Sequence, residues 1–264
     1  MKFRDAVKLL FSPRDLLARR ELERVRKLPR YTPGRTTFLG RPLEYLDSSS
    51  YYFLHEEIFK EEVYAFSSLN SSPRIIDGGS NIGLSVIYFK KLFPASRISA
   101  YEADPRIAEV LKRNLLYQGI TDVEVRAEAL WSCETELSFQ CEGADGGKLV
   151  KSMEKSIRVP AVGISDLLCE TVDFLKLDIE GAEIEVLESC QPCLKNVEMI
   201  FVEYHSIAEQ TQRLPDLLNL LRESGFRFFI SAPSVFSGKP FLQTETYCGF
   251  DMVLNIHCVR SDKK

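Results

Sequence analysis

The chain has 264 residues, 45% of them hydrophobic and 27% charged, with a net charge of −4, which suits a globular α/β protein and excludes long disorder. No apolar run approaches the ~18 residues of a membrane helix, and Met1-Lys2-Phe3-Arg4-Asp5 lacks a signal-peptide core, so the expected location is the cytoplasm. Seven irregularly spaced cysteines argue against a disulfide framework, and Cys190-Gln191-Pro192-Cys193 has no second pair with which to hold zinc.

Residues 1–30 carry a charge of +6 and leave −10 for the remainder. Phe3, Val7, Leu10 and Phe11 fall at helical spacing within this basic arm. The arm therefore suits peripheral contact with an anionic membrane surface, docking on the chain's own body, or contact with a second copy in a homo-oligomer. The acidic remainder argues against nucleic acid as the main partner. A hairpin is expected over Thr36–Tyr45, followed by a helical, aromatic-rich stretch from Tyr51 to Phe66. These aromatics suit stacking on a sugar or polyketide, but an aromatic stripe on a helix is more often packing. Residues 1–70 are read as a basic arm and cap preceding a main domain of residues 71–264.

From Arg74 the pattern alternates. Strand 75–77 feeds helix 83–92, and strand 97–102 feeds helix 105–117, with Asp104 as N-cap, Pro105 at the first helical position and Gly119 as the stop. Strand 122–126 follows. The stretch from about 130 to 162 reads as an insertion with strands near 136–141 and 157–162 around a glycine loop at 143–147. The alternation resumes with strand 173–178, helix 181–190, strand 197–203, helix 213–224 and closing strands 226–231 and 250–259. Such alternation predicts an α/β, Rossmann-like fold with a mainly parallel sheet and helices on both faces, binding ligands beyond the carboxyl ends of its strands.

Acidic residues gather at those ends. Asp77 opens the turn Asp77-Gly78-Gly79-Ser80-Asn81-Ile82-Gly83, whose glycines would let backbone N–H groups approach a ligand. Glu102, 25 residues after Asp77, is placed to accept from ribose hydroxyls, and Glu128-Ala129 to meet an adenine. The turn lacks Gly-x-Gly-x-x-Gly spacing, which disfavours a pyrophosphate-bearing dinucleotide and an NAD-dependent oxidoreductase. S-adenosylmethionine, zwitterionic at one end and free of phosphates, fits better. Asp77 would neighbour its methionine end, with Gly78, Gly79, Ser80, Asn81 and Gly83 beneath and Ala103 beside the ribose site.

Ile76-Asp77-Gly78-Gly79-Ser80-Asn81-Ile82-Gly83, Tyr101-Glu102-Ala103-Asp104-Pro105, Asp173-Phe174-Leu175-Lys176-Leu177-Asp178-Ile179-Glu180-Gly181-Ala182-Glu183 and Val202-Glu203-Tyr204-His205 together resemble the FkbM-type methyltransferases over about residues 70–205. The resemblance implies a class I methyltransferase fold with a seven-stranded sheet, and S-adenosylmethionine-dependent transfer to oxygen on a small-molecule or glycan acceptor. Ala103-Asp104 departs from the family's usual Pro and variable residue. In-line methyl transfer needs a base near the acceptor oxygen. Asp178 is the first candidate, with Glu203 and His205 as a carboxylate-oriented imidazole. No metal is expected, although the same three residues could hold a divalent ion. Glu180 and Glu183 are read as helix-dipole carboxylates. A competing reading is a cofactor-binding scaffold without transferase activity.

Overall fold

The computed structural model describes residues 13–140, 148–149 and 156–261. The expected stripe Phe3–Phe11 and the glycine loop at 143–147 lie outside these residues. Helix α1 (Pro13–Arg26) precedes the hairpin β1 (Gly34–Phe38) and β2 (Arg41–Tyr45), then α2 (Ser48–His55), which runs into a π-helical turn, Glu56–Lys60. Next come β3 (Arg74–Gly78), α3 (Leu84–Leu92), β4 (Arg97–Tyr101), α4 (Pro105–Gln118) and β5 (Val123–Arg126). The inserted region holds β6 (Ala129–Trp131), β7 (Thr135–Gln140), β8 (Lys148–Leu149) and β9 (Ser156–Gly163). The chain continues through α5 (Ile164–Leu167), β10 (Val172–Leu177), α6 (Glu183–Ser189), a 3-10 turn, Gln191–Asn196, β11 (Val197–Ile207), α7 (Leu214–Glu223), β12 (Phe226–Ser231) and β13 (Phe250–Arg260).

Seven strands form the main sheet in the order β12-β13-β11-β10-β3-β4-β5. Strands β11, β10, β3, β4 and β5 pair parallel, whereas β13 runs antiparallel to both β11 and β12. The alternation predicts a mainly parallel sheet and the resemblance seven strands; the sheet has both, with β13 alone reversed. The insertion builds its own four-stranded sheet, β6-β9-β7-β8.

Successive strand residues point to opposite faces, and the core divides accordingly. Ile76, Leu175, Leu177, Ile200 and Val202 pack against α5, α6 and α7. Ile75, Phe174 and Phe201, one position out of phase, pack against α3 and α4. Val25, Phe38, Leu43, Tyr51, Ile58 and Tyr64 join that second cluster, so the described part of the N-terminal segment docks on the chain's own body through a shared core.

Two expected elements change. The helix expected over 51–66 begins at Ser48 because the buried Asp47 accepts from the Ser50 N–H at 3.0 Å. It closes in the π-turn, where the Glu61 N–H donates to the Glu56 carbonyl at 2.9 Å, with Glu62 at φ +53° just beyond. Strand β11 outruns its expected end at 203, since antiparallel pairing with β13 continues to Ile207. Glu203 and His205 consequently sit within a strand, two residues apart on one face. The aromatics of 51–66 mostly pack: Tyr51 stacks on Tyr45 and Phe66 on Phe174, at 5.4 and 4.6 Å between centroids.

Candidate active site

The period-two alternation that buries Phe174 and Phe201 also fixes where the polar residues go. Asp77 follows Ile75, Lys176 and Asp178 follow Phe174, and Glu203 and His205 follow Phe201, so all five belong to the face covered by the N-terminal segment. Along the carboxyl edge, strand order sets out Glu128 after β5, Glu102 after β4, Gly79 and Asn81 after β3, Asp178 after β10, and Glu203 with His205 on β11. Four strand spacings separate the ends of this row, roughly 19 Å. These residues, with Ala103 and Ala129, line one cavity of about 580 Å³, within the usual range for a cofactor or small ligand. Phe53, Glu57 and Glu61 from the N-terminal segment and Pro233, Phe236 and Tyr247 from the β12–β13 loop complete its walls.

The turn after β3 does not work as its glycines suggested. Gly79 and Ser80 donate their N–H groups to the Tyr101 carbonyl, Asn81 to Glu102 Oε2, Ile82 to its neighbour's Asn81 Oδ1, and Gly83 to the Ser80 carbonyl, all at 2.7–3.0 Å. Every N–H from 79 to 83 is consumed inside the protein, leaving none to cradle a phosphate. Gly79 is required for a different reason: its φ is +75°, and a Cβ there would lie 1.8 Å from the Asp178 carbonyl oxygen. Gly83, at φ +95°, admits Leu111, whose Cδ1 would be 2.4 Å from a Cβ.

Asp77, Gly78, Ser80 and Gly83 stand behind the cavity wall rather than on it. Asp77 is fully buried, accepts from Ser85 Oγ and lies 3.4 Å from Lys176 Nζ, bracing the turn, while its Oδ1 makes no hydrogen bond. Glu102 does face the cavity. Its two oxygens accept from the Asn81 and Asp104 N–H groups at 2.9 Å, which fixes the carboxylate's orientation. Burial, opposed by those hydrogen bonds, pushes its pKa up to about 7.

The β10–β11 half is dominated by charge. Lys176 is 1% exposed and donates to the Gly78 and Gly79 carbonyls and to Asp178 Oδ2, at 3.1, 2.8 and 3.2 Å. Burial opposes its charge, but Asp178, Asp77 and Glu203 outweigh that penalty and raise its pKa. Burial likewise opposes ionisation of Asp178, yet Lys176, a hydrogen bond with Glu203 and the nearby His205 hold its carboxyl below the usual range. Glu203 moves the other way, raised by burial and by the Asp178 charge. Burial disfavours the charged form of His205, but Glu180, Glu183 and Glu203 together raise its pKa well above normal.

Glu203 is not the residue that orients His205. Glu183 Oε1 lies 3.1 Å from His205 Nδ1 and also accepts from the Ile179 and Gly181 N–H groups, at 3.2 and 3.0 Å. Glu183 is therefore a buried positioning carboxylate as well as the first residue of α6. Glu180 precedes the helix at φ +57° and brings Oε2 to 3.5 Å from His205 Nε2, opposite Glu203 Oε2 at 3.6 Å.

Sequence reasoning also missed Lys176, Glu57 and Asn255. A lysine inside the apolar run Val172–Leu177 was the available signal for the first, because a buried ammonium must be paired. No local signal marks the others. Asn255 pairs with Glu203 across the β11–β13 ladder and donates Nδ2 to Glu57 Oε1 at 2.7 Å, 198 positions away in the chain.

The donor set fits a phosphate-free, positively charged cofactor: oriented carboxylates face the cavity, while the turn's N–H groups and Lys176 are already engaged. The methyltransferase FkbM domain family matches residues 77–228. The methyltransferase sdnD of Sordaria araneosa is 28% identical over 212 residues, covering 66% of this chain and 81% of that protein. The 31-O-demethyl-FK506 methyltransferase FkbM of Streptomyces tacrolimicus is 20% identical over 238 residues, covering 75% and 90%. The crystal structure of methyltransferase FkbM from Methylobacillus flagellatus KT superposes with a TM-score of 0.51 at 16% identity, over 79% of this chain and 51% of that longer one, a likeness of fold. Among the described residues, no helix is long and apolar enough to cross a membrane.

Proposed function

The chain belongs to the FkbM methyltransferase family, and we propose that it transfers a methyl group from S-adenosylmethionine to a hydroxyl of a sugar-like or secondary-metabolite acceptor. The observation that carries this reading is the row of acidic side chains along one sheet edge, facing a single cavity while the turn beside them offers no phosphate donors. The name of the Streptomyces tacrolimicus relative supports oxygen as the methylated atom.

Glu102 binds the ribose hydroxyls, Glu128 and Ala129 border the adenine, and Gly79 and Asn81 form the floor between them. Bound there, the cofactor supplies a methyl carbon activated by an adjacent sulfonium. Asp178, beside Gly79, orients the acceptor hydroxyl and takes its proton; Glu203 and His205, held through Glu183, complete the acceptor-facing wall. Phe53, 67% exposed yet on the cavity wall, and Tyr247 offer apolar surface at the mouth to the rest of the acceptor.

Calorimetric titration with S-adenosylmethionine tests the reading. One site per chain is expected, weakened in Glu102→Ala; no heat of binding, or equal binding by that variant, overturns it. Saturable cofactor binding without turnover on a panel of hydroxylated acceptors would favour the non-catalytic scaffold.

A further inference from the structure

We propose that Asp178, Glu203 and His205 form a binding site for a hard divalent cation such as Mg²⁺ or Mn²⁺. One ligand atom from each lies within 4.8 Å of the others, the spread that a single ion can gather in by small side-chain movements. All three face the cavity, so positions remaining on the ion would be open to a ligand entering from the mouth.

Three features distinguish this cluster from a chance grouping of acids. First, the histidine is prepared as a ligand. Glu183 holds Nδ1 at 3.1 Å, which turns Nε2 toward Glu180 and Glu203, the arrangement in which a carboxylate fixes a metal-binding imidazole. Second, the cluster is dense in oxygen ligands. Among the described residues the carboxyl groups of Asp77, Glu57, Asp178, Glu180, Glu183 and Glu203 gather around Lys176 and His205, and none of the six lies on open surface. Third, a buried oxygen lacks a partner. Asn255, 2% exposed and opposite Glu203 in the ladder, spends Nδ2 on Glu57, itself on the cavity wall, and leaves Oδ1 without a hydrogen bond.

Oxygen-rich ligation with one imidazole suits Mg²⁺ or Mn²⁺ better than thiolate-seeking metals. Such an ion would lower the pKa of an acceptor hydroxyl placed on it. This use of the ion rests on the methyl-transfer reading; the binding itself does not. Uptake of the ion and uptake of the cofactor therefore succeed or fail separately.

The experiment is a Mn²⁺ titration of the full chain near neutral pH, following the free-ion signal by electron paramagnetic resonance. One Mn²⁺ per chain should be taken up and be displaced by excess Mg²⁺. Glu203→Gln and His205→Asn should each weaken uptake at least tenfold, and Glu183→Gln by about tenfold through the imidazole's orientation. Calorimetry with S-adenosylmethionine should retain its stoichiometry in Glu203→Gln. Electron spin-echo modulation on the wild-type Mn²⁺ complex should show nitrogen coupling from His205, a readout that needs no variant to fold. No saturable uptake up to about 1 mM Mn²⁺, no nitrogen coupling, or equal uptake by Glu203→Gln would overturn the proposal.

Discussion

The two halves of the cavity are built on opposite principles. Around β3 and β4, hydrogen bonds close on themselves: the turn's N–H groups are all engaged and both oxygens of Glu102 are oriented by backbone donors. Around β10 and β11, ionisable side chains meet directly: Glu180, Glu183 and Glu203 converge on His205, and Asp178 on Lys176. The first half supplies a shape that does not change when a ligand arrives. The second holds the groups whose protonation and partners change when chemistry is done. Lys176 joins them, reaching carbonyls of the first half and a carboxylate of the second.

The largest test of that division is Gly79→Ala, which forces a Cβ onto the Asp178 carbonyl where the two halves touch. A loss of about 4 kcal/mol or more is expected, seen as a fall of about 10 °C in melting temperature. Survival of the fold would show that the turn yields more than its hydrogen bonds suggest. Lys176→Met comes next. It leaves Asp77 and Asp178 buried without their shared cation and should cost about 3 kcal/mol by urea unfolding. A smaller loss would mean that the two halves hold together without the ammonium.

Glu102→Gln should act on affinity more than on stability, weakening S-adenosylmethionine by about thirtyfold, or about 2 kcal/mol, with little change in melting temperature. The smallest effect is a pH dependence at this residue. Glu102 has a pKa of about 7 in the free protein, and hydroxyl donors favour the carboxylate. Affinity should therefore be near its maximum above about pH 8, half of it near pH 7, and fall by about eightfold from pH 7.5 to 6. That slope should vanish in Glu102→Gln. The linked stability effect has the opposite direction: a carboxyl whose folded pKa is raised destabilises the empty protein as pH climbs from its unfolded value toward 7.

The strands' places along the chain and the acids at strand ends were legible because both follow from local pattern. Alternation marks the strands, amphipathic helices mark the crossovers, and an acid after an apolar run stands out at Glu102 and Asp178. Asp77 shows the limit of that logic. Its position beside the glycines suggested ligand contact, but it lies behind the cavity wall, accepting from Ser85 in the first turn of α3 and 3.4 Å from Lys176 on the neighbouring strand. The roles of Glu183 and Glu57 were illegible for another reason. What each carboxylate does depends on a partner brought in by sheet pairing, His205 on β11 and Asn255 on β13, and no spacing within a segment announces such a partner.

The place of β13 between β12 and β11 has a consequence for how the molecule assembles. The last described strand does not add to an edge; it fills a slot inside the sheet, and it carries Asn255 to Glu57 and His257 to the Val63 carbonyl as it does so. Until residues 250–260 emerge from the ribosome, β11 has an open flank and the N-terminal segment lacks both of these anchors. Folding should therefore finish late and over long sequence distances, a slow step during which unpaired strand edges invite association. The cavity would take its final form only when that insertion is complete.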